Sequence, residues 1–191
     1  MTRAFATAAL VSTTLLVAGC AGFKPGEIFG SGPGTHANSS AAPAGTLSPI
    51  EAKRLALANA MADTGVSVLS TADGQLQVNV PSDFSFGSDH AEILAVGRPV
   101  LDNLAANLQA PAFVAMRVQI VGYTDSLGSA AANETLSLAR ANSVRRHLLS
   151  KGVAANRIEV EGRGERDPLA PNDKAYGRAL NRRVEIYLRE P

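Results

Sequence analysis

Between residues 66 and 189 the apolar residues repeatedly change their period, and few folds satisfy that alternation. The run "VSVLSTADGQLQVNV" alternates apolar and polar residues on either side of Asp73-Gly74, a pair that favours a tight hairpin. From residue 91 the spacing becomes helical, with Leu94, Leu101, Leu104 and Leu108 on one face and Pro99 tolerable only in a first turn. "AMRVQIVG" returns to period two through Met116, Val118 and Ile120. A helical stretch through Leu138, Ala141, Val144 and Leu148 follows, ending near Gly152. "RIEVEG" reads as a short strand through Ile158 and Val160. "RGERDPLAPNDKAYGRALN" reads as a loop with one helical turn, and "RRVEIYLR" alternates again through Val184, Ile186 and Leu188. The order strand-helix-strand-helix-strand-strand predicts an α/β fold of the two-layer α+β sandwich kind, with helices on a mixed sheet.

Ahead of this region, "SPIEAKRLALANAMADTG" carries the signals of a helix start. Ser48 can cap, Pro49 suits the first position, Glu51 can close a capping box, and Gly65 is a stop. The expected extension over 48–75 is therefore a helix followed by a hairpin strand.

The first residues have a different character. Arg3 precedes the apolar run "AALVSTTLLVAG", which is too short to span a membrane comfortably. "LVAGC" follows, and its Cys20 is the only cysteine of the 191 residues, so a disulfide within one chain is excluded. A lone Cys after small residues at the expected cut site resembles a bacterial lipobox. That resemblance implies a signal peptide over 1–19 and lipid attachment at Cys20, where acyl chains anchor at about 0.8 kcal/mol per buried CH₂. Ala21 follows the Cys, and by the sorting rules of such lipoproteins this implies the outer membrane, with the folded part facing the periplasm. Residues 20–47 form the lipidated Cys and a tether rich in Gly, Pro, Ser and Ala that cannot bury a core. Full extension of such a tether reaches roughly 90 Å.

Charge excludes one large class of partners. Without residues 1–19 the 18 basic side chains lose Arg3 and leave 17 against 17 acidic ones. A formally neutral chain is a poor binder of nucleic acid, which needs many phosphate contacts.

The stretch "GYTDSLGSAAANETLSLARA" places Asp125 in a loop after a strand and Arg140 fifteen residues later, near the edge of a helix's apolar face. One fixed carboxylate and one fixed guanidinium suit a zwitterion that carries an ammonium and a carboxylate on one carbon. From the residues alone, a structural salt bridge between loop and helix is the favoured reading. Enzyme signals are absent in pattern. His36, His90 and His147 lack metal spacing, "GRGE" lacks the Lys of a phosphate loop, and Asp125 with Glu134 gives no reason to expect the geometry of a glycosidase pair. No catalytic residue, metal or cofactor is expected.

The blocks "GYTDSLGS", "NETLSLARANSVRRHL", "RIEVEGRGERDPLAPN" and "GRALNRRVEI" together resemble the OmpA-like C-terminal domain family. The resemblance covers about residues 76–189 and sets a domain at 76–191. It implies a β-α-β-α-β-β sandwich with a mixed four-stranded sheet that binds peptidoglycan without cleaving it. Asp125 and Arg140 fall on the family positions that hold the diaminopimelate head group of the stem peptide. Thr124 supplies a hydroxyl or amide, and Asn133 either bonds the ligand or holds the loop. Asp89 stands where the family often has Asn, so it keeps an acceptor and loses a donor. Of the pair Arg182 and Arg183, the first matches the arginine facing the cleft, and a solvated face accounts for either equally well. The implied protein is an outer-membrane lipoprotein that ties membrane to cell wall. The alternatives are a wall-anchoring subunit of a secretion or motor assembly, with envelope partners unnamed, or an enzyme acting on the wall.

Overall fold

The computed structural model describes residues 47–87 and 90–191. The expected signal peptide, Cys20, the expected tether up to residue 46, and Asp89 lie outside the described residues.

Helix α1 (Pro49–Ala60) starts with the expected cap, Ser48 Oγ accepting the Glu51 amide at 3.3 Å and Pro49 in the first turn. The Glu51 carboxylate, expected to close a capping box, accepts from Arg54 Nε at 2.7 Å and Ser70 Oγ at 2.9 Å instead. A 3-10 turn over Ala62–Thr64 ends at Gly65, whose φ of 71° is the left-handed conformation that glycine adopts freely. Strands β1 (Ser67–Ser70) and β2 (Leu76–Pro81) form the expected antiparallel hairpin, with Ser70 opposite Leu76. After a single turn of helix, α2 (Ser82–Ser85), comes α3 (Arg98–Gln109), which has Pro99 in its first turn. Strand β3 (Arg117–Gly122), helix α4 (Ala130–Ser150), strand β4 (Ile158–Gly162), helix α5 (Ala175–Asn181) and strand β5 (Arg183–Arg189) complete the order.

The sheet runs β1-β2-β5-β3-β4. Only β3 and β4 are parallel, joined by the α4 crossover, and β5 lies antiparallel to both β2 and β3. The mixed α/β arrangement expected from the sequence is present, and β1 extends it to five strands. Helices α3 and α4 pack together, with α4 against β3 and β4 and α1 against β1. Period-two alternation sends Val78, Ile120, Ile186 and Leu188 into the core, where Leu57, Leu101, Leu104, Leu108, Val144 and Leu148 meet them. Each fully buried side chain of this kind contributes about 1.5–3 kcal/mol.

Two leucines leave the predicted faces. Leu94 lies before α3 rather than in it, and Leu138 sits at the edge of the packed face of α4, over Gly162; both are exposed. The loop segment anticipated around residue 176 holds nearly two helical turns. Arg157 closes the connection between α3 and β3 by donating to the carbonyls of Met116, Leu108 and Phe113 at 2.8–2.9 Å.

The second face of the sheet carries a polar network. Arg183 Nε donates to Glu185 Oε1 at 2.7 Å, with both side chains about 3% exposed, and its guanidinium lies 3.8 Å from the centre of the Tyr123 ring. The Tyr187 hydroxyl donates to Glu185 Oε2 at 2.6 Å. Burial raises the Tyr123 pKa to about 12, and burial plus the neighbouring Glu185 carboxylate also push Tyr187 upward.

Candidate functional site

Three strand ends converge beyond Gly122. Its register partners are Gly162 on β4 and Val184 on β5. The backbone continues the pairing for two residues, with Tyr123 N–H donating to the Arg183 carbonyl at 2.9 Å and Thr124 N–H to that of Gly164 at 2.8 Å. Asp125 is the first residue past this clamp.

Helix α4 descends onto the same ends because two glycines leave room for it. A Cβ on Gly122 would lie 2.1 Å from the Ser137 carbonyl oxygen, and one on Gly162 would lie 2.6 Å from the Leu138 nitrogen. Ser129 caps the helix by accepting the Ala132 amide at 3.2 Å, and Ser137 Oγ accepts the Gly164 amide at 2.9 Å. This close seating brings the first turns of α4 beside the Asp125 loop.

The loop is held by side chains. Asp125 Oδ1 accepts the Leu127 amide at 2.9 Å, a local turn. Its Oδ2 accepts from Arg182 Nη1 at 2.7 Å, where the Asp side chain is 10% and the Arg side chain 28% exposed. Asn133 Nδ2 donates to the Asp125 carbonyl at 3.2 Å and to Glu165 Oε2 at 3.0 Å. Thr124 is buried, with its amide committed to Gly164 and its hydroxyl oxygen without a hydrogen bond.

Arg140 lies two helical turns beyond Asn133 and is 3% exposed. Its Nε donates to the His90 carbonyl at 3.0 Å, and its guanidinium carbon sits 5.6 Å from the centre of the Phe86 ring. The ion pair of Asp125 is with Arg182 and not with Arg140, so the salt bridge between loop and helix is not the arrangement adopted. Asp125, Thr124, Asn133 and Arg182 are brought together directly. Arg140 stands further along the same helix, against the segment that precedes α3.

Beside these residues an open groove of about 760 Å³ runs between the 90–91 segment and α4, with His90 and Ala91 on one wall and Asn133, Leu136 and Ala139 on the other. Its mixed lining, mostly apolar with a few fixed polar groups, is the usual character of a small-ligand cleft. Glu134 shares no site with Asp125, because its carboxylate turns to Arg166 at 3.3 Å. Among the described residues no cluster of His, Cys, Asp or Glu could hold a metal ion, and no helix is long and apolar enough to cross a membrane.

Sequence reasoning missed Glu165 and Asn172. Glu165 receives the Asn133 amide because Gly164, at φ 56°, turns the chain back beneath α4. Asn172 Oδ1 accepts the Ser126 amide at 3.3 Å. Neither position carries a local signal, since each is placed by contacts across more than thirty residues.

The chain is similar to several known proteins. The chain is 39% identical over 132 residues to "Probable lipoprotein YiaD" of Escherichia coli, covering 69% of this chain and 59% of the relative. It is 39% identical over 117 residues to the peptidoglycan-binding protein ArfA of Mycobacterium tuberculosis, covering 60% of this chain and 35% of that one. The chain thus spans only about a third to three fifths of these relatives. The structure of the cell wall anchor of the T6SS from Pseudomonas aeruginosa superposes with a TM-score of 0.62 at 31% identity, covering 72% of this chain and 99% of that one. The OmpA family's sequence model matches residues 85–182, from the end of α2 through the arginine that grips Asp125. The chain belongs to the OmpA family.

Proposed function

We propose that this protein is an outer-membrane lipoprotein whose periplasmic domain holds peptidoglycan noncovalently through the diaminopimelate of the stem peptide. The observation that carries the reading is a nearly buried carboxylate, Asp125, oriented by Arg182 and by the amide of Leu127, a residue that lines the groove together with Asn133 of α4. A diaminopimelate side chain ends in an ammonium and a carboxylate. In this reading Asp125 receives the ammonium. Arg182 holds Asp125 ionised and in place, and the guanidinium of Arg140 meets the carboxylate. Thr124 and Asn133 fix the loop that presents Asp125, and Asp89 adds an acceptor from the adjoining segment. The domain binds and does not turn over its ligand. Support also comes from the names of the relatives: a lipoprotein, a peptidoglycan-binding protein and a cell wall anchor.

Calorimetry with a diaminopimelate-containing tripeptide tests the site. Asp125→Ala and Arg140→Ala should each weaken binding tenfold or more, since a lost charge-assisted contact costs about 1.5–3 kcal/mol. Amidation of the ligand's side-chain carboxylate should cost the wild type far more than it costs Arg140→Ala. Full affinity in either folded variant would defeat the assignment, and release of soluble fragments from purified wall would replace binder with enzyme. Anchoring is tested separately. Cys20→Ser should leave the protein soluble or unprocessed, and its persistence in salt-washed outer membrane would rule out an acylated Cys20.

A second reading, a wall-anchoring subunit of an envelope machine, is favoured by the likeness to the secretion-system anchor over nearly all of that chain. Co-purification of stoichiometric partners from crosslinked envelopes would distinguish it from a free tether.

A further inference from the structure

Four exposed apolar side chains belong to segments that are tied together next to Asp125: Leu127, Leu169, Tyr176 and Leu180. Scattered exposed leucines are ordinary on a protein surface and call for no explanation. These four are connected by one buried side chain. Asn181, at the end of α5, accepts the Ala170 amide at 3.0 Å and donates to the Ala170 carbonyl at 2.8 Å and to Asn172 Oδ1 at 2.9 Å. The same Asn172 oxygen accepts the Ser126 amide, one residue from both Asp125 and Leu127. Arg178 adds a bond to the Asn172 carbonyl at 2.9 Å.

Helix α5 is pressed onto this loop with little freedom. A Cβ on Gly177 would lie 1.9 Å from the Pro171 carbonyl oxygen, so Gly177 and Asn181 form its inner side. Tyr176 and Leu180, four residues apart, form one outward strip. Tyr176 is 75% exposed, whereas Tyr123 and Tyr187 are absorbed into the sheet's polar network. A large aromatic face held out by a tied-down base, with Leu180 one turn away, presents apolar surface to solvent.

We propose that this strip is a subsite for a sugar ring of the peptidoglycan glycan strand, an inference that rests on the wall-binding reading above. A pyranose offers a flat face of C–H bonds and an edge of hydroxyls. The Tyr176 ring takes the C–H face and leaves the hydroxyl edge to solvent. The spacing suits one continuous ligand. Leu180 stands two residues from Arg182, whose guanidinium touches Asp125, which sets the Leu180 end of the strip on the order of 10 Å from that carboxylate and Tyr176 one helical turn, about 5 Å, beyond it. About two residues separate the diamino acid from the sugar that bears the stem, also on the order of 10 Å when extended.

The test compares two ligands on the full folded chain: a sugar-free diaminopimelate tripeptide, and the same peptide carrying its disaccharide. The wild type should bind the disaccharide form more tightly. Tyr176→Ala should lower affinity for that form roughly three- to tenfold and leave the tripeptide unchanged, while Tyr176→Trp should keep the preference. Tyr176 is exposed, so an unchanged melting temperature serves as the folding control. Equal affinity of the wild type for both ligands, or an undiminished preference in Tyr176→Ala, overturns the sugar subsite and leaves peptide binding standing. Failure of the wild type to bind either ligand removes the wall-binding reading and the subsite with it.

Discussion

Arg182 and Arg183 are neighbours in sequence with separate tasks. Arg182 comes before β5 and reaches Asp125 from the strand's end. Arg183 is the first residue of β5 and points to the network face, where Glu185 and the Tyr123 ring hold it. The two pairs should respond differently to truncation. Arg183→Met strands a buried carboxylate and should cost about 3–5 kcal/mol in urea unfolding, and adding Glu185→Leu should recover most of that. Arg182→Met, in a partly exposed pair, should cost about 1 kcal/mol or less. Equal losses would mean that Glu185 is solvated in the folded protein. Asp125 and Arg140 stood out in the sequence because their residue types and spacing match the family's blocks. Arg182 stood out as well, as the family's cleft-facing arginine, but its pairing with Asp125 did not, because the two lie 57 residues apart and meet only through the register of β5.

At the scale of elements, the position of the site depends on how closely α4 sits on the strand ends. Gly122 is opposite Gly162, and both face the backbone of α4 at distances no side chain tolerates. Gly122→Ala should therefore destabilise the fold by about 1–3 kcal/mol or more. Because Asn133 and Arg140 ride on that helix, ligand affinity should fall as well. A fully stable Gly122→Ala protein would show that α4 can lift away without consequence. Alternation and the helical stripe were legible for β2, β3, β5 and α4 because burial on one face imposes a fixed period. Leu94 and Leu138 fit the helical period, yet a period does not say where a helix begins or how wide its buried face is. Helix α5 was obscured by Gly177, a poor helix former in general, which is required here by the contact with Pro171.

Across the whole molecule, the order β1-β2-β5-β3-β4 makes the last strand in the chain a central strand of the sheet. The N-terminal helix and hairpin join the same layer as the rest: Leu57 and Met61 are fully buried in the common core. Without β5, the β1-β2 hairpin and the β3-β4 pair have no strand between them, and Arg182 loses the strand that holds it beside Asp125. A chain ending at Arg182 should show no cooperative unfolding transition by circular dichroism, and a well-defined transition would mean that the two halves cohere on their own. Long-range pairing of this kind is slow to form. It also has a temporal meaning. Any process that delivers the polypeptide N-terminus first, such as synthesis on a ribosome or threading through an export channel, delivers β5 after the four strands it joins. The sheet then cannot close before β5 arrives, and the strands ahead of it stay threadable until that moment.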